Sequence, residues 1–380
     1  MRLSYILKFV LIAAVLSSCK ERFKPDVLQT NSNLLVVEGF INTGNDSTII
    51  TLSRTVFLDD KQAIKPEAGA TVMVESETNE TYALIEKGNG VYGAPSLNLS
   101  ASKKYRLKIK TSTNTNYLSD FVSAKESPPI DDVTWKIGAN GLQIAVNTHD
   151  ETQNSRYYRW EYTDTWIFYA PFQSVLMFNG VEVVERNLTT HQIFQCWGNY
   201  NSSTILLGST AKLEKDVIFE SPITLIDHHA ERLGEKYSIL VKQYALTKEA
   251  YQFYEQLKKN TETLGSIFDA QPSEIKGNIH NENVPDEPVL GYISAGTVQQ
   301  KRIFIVKKDL PPSFFLKKNP RCVRPPFVVI PKSQAELVGF FASGINIPID
   351  YAPEGGYYSS GRECADCTLT GTNKRPSFWQ

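Results

Sequence analysis

Short runs of β-branched and aromatic residues, separated by turn residues, cover most of the chain. The run KYRLKIK (104–110) is typical, because its alternation places Tyr105, Leu107 and Ile109 on one face of a strand. Glycine and asparagine separate such runs at a spacing that indicates a β-sandwich or a barrel. We predict that residues 34–126 form an N-terminal, Ig-like β-sandwich.

A second strand-rich region follows a pair of prolines. Pro128 and Pro129 cannot continue a ladder of hydrogen bonds, so we place a domain boundary there. The segment PPIDDVTWKI resembles the start of a fibronectin-III-like sandwich, and KYSILVKQYAL (236–246) alternates clearly. We predict that residues 127–380 form a second sandwich, so that the fold is mainly β with two tandem β-sandwich domains.

One segment has helical periodicity and predicts a helical insertion near 247–264. Thr247 is a suitable N-cap for this helix. The positions after it recur at helical spacing: Ala250, Phe253, Tyr254, Leu257 and Thr261. Three nearby tyrosines allow two interpretations, a sugar-binding platform or part of the core, and we favour the core: Tyr244, Tyr251 and Tyr254.

The C-terminal segment contains many prolines and glycines, which interrupt regular strands. It also contains several aromatic residues after Tyr351, and large aromatic side chains favour burial. We therefore predict an irregular segment that wraps onto a sheet, with Phe378 and Trp379 buried against that sheet.

The N-terminus predicts export and lipid modification. Residues 1–18 combine basic residues, a short apolar run and small residues at the end, as a secretory signal peptide does. The apolar run is shorter than the roughly 20 residues that span a bilayer. The sequence LSSC (16–19) resembles the bacterial lipobox. This resemblance implies cleavage before Cys19 and acylation of Cys19; the alternative is an unmodified secretory cysteine.

Acylation of Cys19 would anchor the protein to a membrane, since each buried CH₂ contributes about 0.8 kcal/mol. Residues 19–33 lack periodicity and are predicted to be a tether. No aspartate stands directly next to Cys19, so inner-membrane retention is not signalled. We predict an outer-membrane location, with the cell surface favoured over the periplasmic face.

Composition narrows the class of protein. The 380 residues include 40 Lys and Arg against 41 Asp and Glu, and 41% of them are hydrophobic. A near-neutral charge with this much apolar content excludes a disordered chain. It also argues against nucleic acid as a partner, because no basic excess is present to neutralise phosphates.

The cysteines beyond Cys19 suggest disulfides. An exported protein meets an oxidising compartment, and an even number of cysteines there favours pairing. The four that remain after processing are Cys196, Cys322, Cys364 and Cys367. They allow three pairings, among which the sequence does not choose. The C-x-x-C spacing at the end also suits a redox pair or half of a zinc site, but we favour disulfides that staple the tail.

Other chemistry is weakly signalled. The sequence lacks the nucleophile and metalloprotease motifs G-x-S-x-G and H-E-x-x-H. His228 and His229 are adjacent, and neighbours on a strand point to opposite faces, so they rarely chelate one metal. Asp46-Ser47-Thr48 resembles a bacterial O-glycosylation acceptor at Ser47, although a turn explains it equally well. We predict no catalytic residue, no cofactor and no metal.

Distinctive stretches are spread over nearly the whole mature chain: LLVVEG (34–39), CW (196–197), YSILVKQY (237–244), GSIFD (265–269), EPVLGY (287–292), CADCT (364–368) and KRPSFW (374–379). On these stretches the chain resembles a Bacteroidetes lipoprotein family, domain of unknown function 4249. The resemblance implies a partner of TonB-dependent outer-membrane receptors that captures a nutrient or acts as a lid. It brings no catalytic residue with it.

We therefore expect a lipid-anchored accessory or ligand-capture protein of a TonB-dependent receptor, and not an enzyme. The first alternative is a structural or adhesive surface protein. The absence of any pocket of roughly 300 Å³ or more would favour this alternative over ligand capture. A hydrolase is the second alternative, and a deep cleft with two facing carboxylates would speak for it.

Overall fold

A computed structural model describes residues 33–56, 64–262, 275–315, 320–322 and 326–380. Strands dominate these residues, which confirms the mainly-β prediction. The strands of the N-terminal part are β1 (Leu35–Asn42), β2 (Thr48–Arg54), β3 (Lys65–Pro66), β4 (Thr71–Ser76), β5 (Thr81–Gly88), β6 (Val91–Ala94), β7 (Lys104–Lys110), β8 (Asn116–Ser119) and β9 (Val122–Lys125).

Longer strands and one helix make up the middle of the chain. They are β10 (Ile130–Gly138), β11 (Gly141–His149), β12 (Tyr157–Tyr169), β13 (Leu176–Phe178), β14 (Val183–Glu185), β15 (Gln195–Asn201), β16 (Leu206–Ser209), β17 (Val217–Ile226), β18 (Lys236–Ala245) and helix α1 (Lys248–Glu262). After them come β19 (Ile279–Asn281), β20 (Ser294–Gly296), β21 (Val298–Val306), β22 (Phe327–Val329), α2 (Gln334–Phe341), β23 (Asn346–Tyr351) and β24 (Tyr357–Gly361).

Eight strands close into a barrel, in the order β7-β4-β5-β6-β2-β1-β20-β9 and back to β7. Strand β9 completes the ring, because Val122 lies opposite Tyr105 of β7 and Ala124 lies opposite Ala295 of β20. The structure thus corrects the prediction of an Ig-like sandwich for residues 34–126. Closure leaves no unpaired strand edge within the ring, which an open sheet would have.

The barrel needs a segment from far along the chain. Strand β20 lies between β1 and β9 and runs parallel to both, and β19 pairs with β8 outside the ring. The predicted division into 34–126 and 127–380 therefore does not follow the sheets. Gly291 lets the returning segment approach β1: its φ is +142°, and a Cβ there would lie 2.1 Å from the carbonyl oxygen of Val37.

The second core lies between two sheets. Sheet β10-β11-β17 covers one side, and sheet β15-β12-β18-β21, to which β16 is added, covers the other. Alternation on β12 and β18 sends one set of side chains inward and the other set outward. The largest inward-facing side chains are fully buried or nearly so: Leu142, Ile144, Tyr158, Trp160 and Tyr237.

Helix α1 lies where the two units meet. The Thr247 side chain accepts a hydrogen bond from the Ala250 N–H at 3.2 Å, which confirms the predicted N-cap. The apolar side of the helix packs into a small cluster shared by both units, with Phe40 from the barrel and Tyr244 from β18. Residues 263 and 264 of the predicted helix lie outside the described residues.

The C-terminal segment packs onto the sheet, and the predicted burial is complete for Trp379 but only partial for Phe378. Trp379 is 7% exposed and meets the edge of Trp197 at a ring-centroid distance of 6.3 Å. Phe378 is half-buried, and the Arg302 guanidinium lies 3.5 Å from its ring centroid. The structure adds regular elements that the prolines concealed, namely sheet β22-β24-β23 and helix α2.

Candidate ligand-binding cleft

A cleft of about 1210 Å³ lies between the barrel and the second unit. Its barrel wall is the outer face of β1 and β2, and its sheet wall is the outer face of β12, β18 and β21; side chains of α1 close one end. The side chains that line the cleft include Glu38, Phe40, Asp46, Thr51, Arg159, Glu161, Lys242, Tyr244, Tyr254 and Gln300.

Two contacts hold the walls together. Phe40 of β1 and Tyr244 of β18 meet edge to face, with ring centroids 5.0 Å apart. Gln300 Nε2 donates a hydrogen bond to Asp46 Oδ2 at 3.2 Å. The cleft is therefore bounded by direct contacts between the units.

Strand register places the polar groups of the sheet wall in rows. Glu161, Lys242 and Gln300 lie directly opposite one another on β12, β18 and β21, and Arg159 lies opposite Tyr244 in the adjacent row. Residues opposite one another in a ladder share a face. The wall is therefore a polar surface on the side of the sheet that faces away from the second core.

The most constrained group in the cleft is Arg159. Its guanidinium carbon lies 4.6 Å from the ring centroids of both Tyr244 and Tyr254, and its Nη1 lies 2.9 Å from Glu161 Oε1. The Tyr244 hydroxyl donates to the other Glu161 oxygen at 2.8 Å. These contacts fix the planar cation, yet its buried Nε has no hydrogen-bond partner among the described residues.

Charges around this group influence its protonation. Burial by itself lowers the pKa of Arg159, but Tyr254 and Glu161 outweigh that effect and raise the pKa above its usual value. Burial and the Glu161 carboxylate raise the pKa of the Tyr244 hydroxyl. The arginine therefore stays charged and the tyrosine stays a hydrogen-bond donor.

The three tyrosines predicted as core or sugar platform have structural partners. Arg159 occupies one face of both Tyr244 and Tyr254, and the Tyr251 ring packs on Tyr157 at 5.0 Å. They belong to the cluster beneath α1, as the core interpretation predicts. Arg159 itself was not singled out from the sequence, although its outward position follows from the alternation YRWEY on β12.

The four predicted cysteines form two disulfides. Cys196 pairs with Cys367, and Cys322 pairs with Cys364. The two cysteines of the C-x-x-C segment therefore have different partners, so they form neither a redox pair with each other nor half of a zinc site. Both bonds tie residues 364–367 to earlier positions in the chain, as the stapling hypothesis predicts, and they are one of the three pairings that the sequence allows.

The structure describes some of the remaining predicted sites and not others. Cys19 and most of the predicted tether lie outside the described residues. Ser47 is exposed at the cleft. His228 and His229 pack against Phe314 and Phe315, with ring centroids 4.7 and 4.3 Å apart.

The described residues offer neither a metal-binding cluster nor a membrane-spanning helix. No group of three or more His, Cys, Asp or Glu side chains there is arranged to hold a metal ion. Among the same residues, no helix has both the length and the apolar character that crossing a bilayer requires.

Comparison with known proteins gives a family. No curated protein matches the chain. A Salmonella alpha-2-macroglobulin crystal structure is 10% identical over 56% of this chain and 13% of its own, with a TM-score of 0.19. A family model described as domain of unknown function (DUF4249) matches residues 20–302, about three quarters of the sequence. The chain belongs to this family, as its sequence stretches predicted.

Proposed function

We propose that this protein is a lipid-anchored, ligand-binding protein of the outer membrane that serves as an accessory to a TonB-dependent receptor. The cleft of about 1210 Å³ between the two units is the observation that carries the binding role. The lipobox at Cys19 and the family resemblance support the anchor and the receptor partnership.

The cleft favours ligand binding over a structural or adhesive role. A structural spacer needs rigid units but no pocket. Pockets that bind small molecules occupy roughly 300–1,000 Å³. This cleft exceeds that range, and it is lined by both apolar and charged side chains. The second unit, with two sheets around one core, supports the predicted fibronectin-III-like sandwich as a rigid wall.

The proposal includes no catalytic step. A hydrolase of the two-carboxylate type needs one carboxyl group that delivers a proton. Both oxygens of Glu161 already contact protein groups, one the Arg159 Nη1 and the other the Tyr244 hydroxyl, so this carboxylate is not free to face a substrate. A lipid-anchored protein that binds a ligand and breaks no bond accounts for the cleft, the proposed anchor and the family resemblance.

The binding role is tested by filling the cleft. Thr51 lies on the barrel wall, opposite Glu38 in the ladder, and its side chain points away from the barrel interior. A tryptophan at position 51 would fill part of the cleft. We therefore expect Thr51→Trp to bind less solute from growth-medium extract than the unsubstituted protein does, at an unchanged melting temperature. Equilibrium dialysis followed by mass spectrometry measures the bound solute. Thr81→Trp, exposed on β5 outside the cleft, is the control. Equal uptake by both variants would contradict the role of the cleft.

The anchor makes a separate prediction. Cys19→Ala removes the acylated residue, so we expect the protein to move from the membrane fraction to the soluble fraction. Mild-detergent purification of the unsubstituted protein should recover a TonB-dependent receptor, and the same procedure with Cys19→Ala should not. Membrane association that survives this substitution would refute lipid anchoring at Cys19.

A further inference from the structure

The two walls of the cleft carry unmatched charges of opposite sign. On the sheet wall, Glu161 balances Arg159 at 2.9 Å, which leaves Lys242 as the unmatched cation. On the barrel wall, Glu38 is an exposed carboxylate. Within the described part of the chain, neither Lys242 nor Glu38 has an ion pair within 4.0 Å or a side-chain hydrogen bond.

The two charges lie on opposite walls of the same cleft, and each is two residues from the aromatic contact between the walls. The walls meet at Phe40 and Tyr244. Glu38 lies two residues from Phe40 on β1, and Lys242 lies two residues from Tyr244 on β18, so each is roughly 7 Å from the contact on the cleft-lining side of its strand. Both side chains line the cleft, which therefore offers a carboxylate on one wall and an ammonium group on the other.

Four of the five strands that line the cleft have no free edge, and the fifth, β21, lies at the edge of its sheet. Strands β1 and β2 have neighbours on both sides within the barrel, and β12 and β18 are interior strands of their sheet. An extended ligand therefore cannot add to these strands through main-chain hydrogen bonds, which is a common mode of peptide recognition. Recognition at these four strands falls to side chains and to the charged ends of the ligand.

We propose that the cleft binds short zwitterionic peptides, with the free ammonium group at Glu38 and the free carboxylate at Lys242. This inference rests on the proposed binding function and specifies its ligand class. A peptide of several residues suits the volume of about 1210 Å³. Its side chains would contact the apolar part of the lining, which includes Ile49, Phe253, Leu257 and Leu290.

The test compares peptides with free and blocked ends. The purified full-length protein is dialysed against short random peptides with both ends free, against the same peptides N-acetylated, and against the same peptides C-amidated. We expect each block to weaken binding about ten- to hundredfold, since each removes a hydrogen bond between charged groups. Equal binding of free and blocked peptides overturns the proposal.

Two substitutions assign each peptide end to one side chain. Lys242→Gln should abolish the preference for a free carboxylate and keep the preference for a free amine, and Glu38→Gln should do the reverse. Lys110→Gln and Glu354→Gln, both exposed and outside the cleft, are matched controls that should change neither preference. Loss of both preferences in one variant, or of neither in both variants, contradicts the assignment.

A third set of ligands distinguishes the peptide hypothesis from the proposed binding function on which it rests. Neutral malto-oligosaccharides and growth-medium extract are dialysed against the same protein. Retention of such solutes without any peptide overturns the zwitterionic ligand and leaves the binding function intact. Retention of neither peptides nor solutes overturns both.

Discussion

Deletion of residues 364–380 should abolish the cooperative thermal unfolding transition or lower its midpoint by many degrees. The deletion removes Cys364 and Cys367, and with them both disulfides. In the chain-entropy model, closing sequence separations of 171 and 42 residues stabilises the fold by about 5 and about 4 kcal/mol. Loss of a buried tryptophan costs a further 3–5 kcal/mol or so, here that of Trp379.

These losses are comparable to the total stability of a typical domain, which is about 5–15 kcal/mol. Two smaller changes separate the contributions. Cys196→Ala with Cys367→Ala removes one disulfide, and Trp379→Ala removes the contacts with Trp197 and Phe304. Tyr351→Ala, a 53% exposed aromatic in the same segment, is the control and should change little. A deletion variant that melts at the original temperature would refute the structural role of the tail.

Substitution of Asp164 by alanine should destabilise the second unit by about 3–5 kcal/mol, as breaking a buried charged pair does. The Asp164 side chain is fully buried on the inner face of β12. It accepts from Arg232 Nη1 at 2.5 Å and from the Tyr237 hydroxyl, so alanine leaves two donors without an acceptor.

Matched variants make the expected loss specific. Asp164→Asn keeps one oxygen acceptor and should therefore cost less than Asp164→Ala. Asp286→Ala removes an exposed carboxylate and should leave the free energy of unfolding almost unchanged. The measurement is chemical denaturation, and equal stability of the Asp164→Ala and Asp286→Ala variants would contradict the prediction.

The same carboxyl group gives a pH dependence. Burial raises the pKa of Asp164, and this effect exceeds the lowering by Tyr237 and Arg232. The folded state therefore keeps this proton to a higher pH than the unfolded chain does. The associated stability is present at low pH and is lost as the pH rises from about 4 through the raised pKa. Asp164→Asn should lack this component of the pH profile of unfolding free energy.

Local patterns were sufficient where neighbouring residues decide the outcome. Alternation identified long strands such as β7 and β18, and Thr247 followed by helical spacing identified α1 and its N-cap. Aromatic content predicted the burial of Trp379. The alternation on β12 also predicts that Asp164 points inward, on the same face as Trp160 and Tyr162. The sequence does not identify the hydrogen-bond partners of Asp164.

The sequence by itself determined the strand-rich composition, the helix, the even number of cysteines after Cys19 and membership of the family. Tertiary structure decided the closure of the barrel, because three-residue strand β20 has no alternation of its own and is stabilised by pairing with β1 and β9. Tertiary structure also determined the disulfide pairing, Cys196 with Cys367 and Cys322 with Cys364. The cleft arises the same way: Glu38 and Lys242 are about 200 residues apart in sequence, and only the packing of a barrel face against a sheet face brings them to opposite walls.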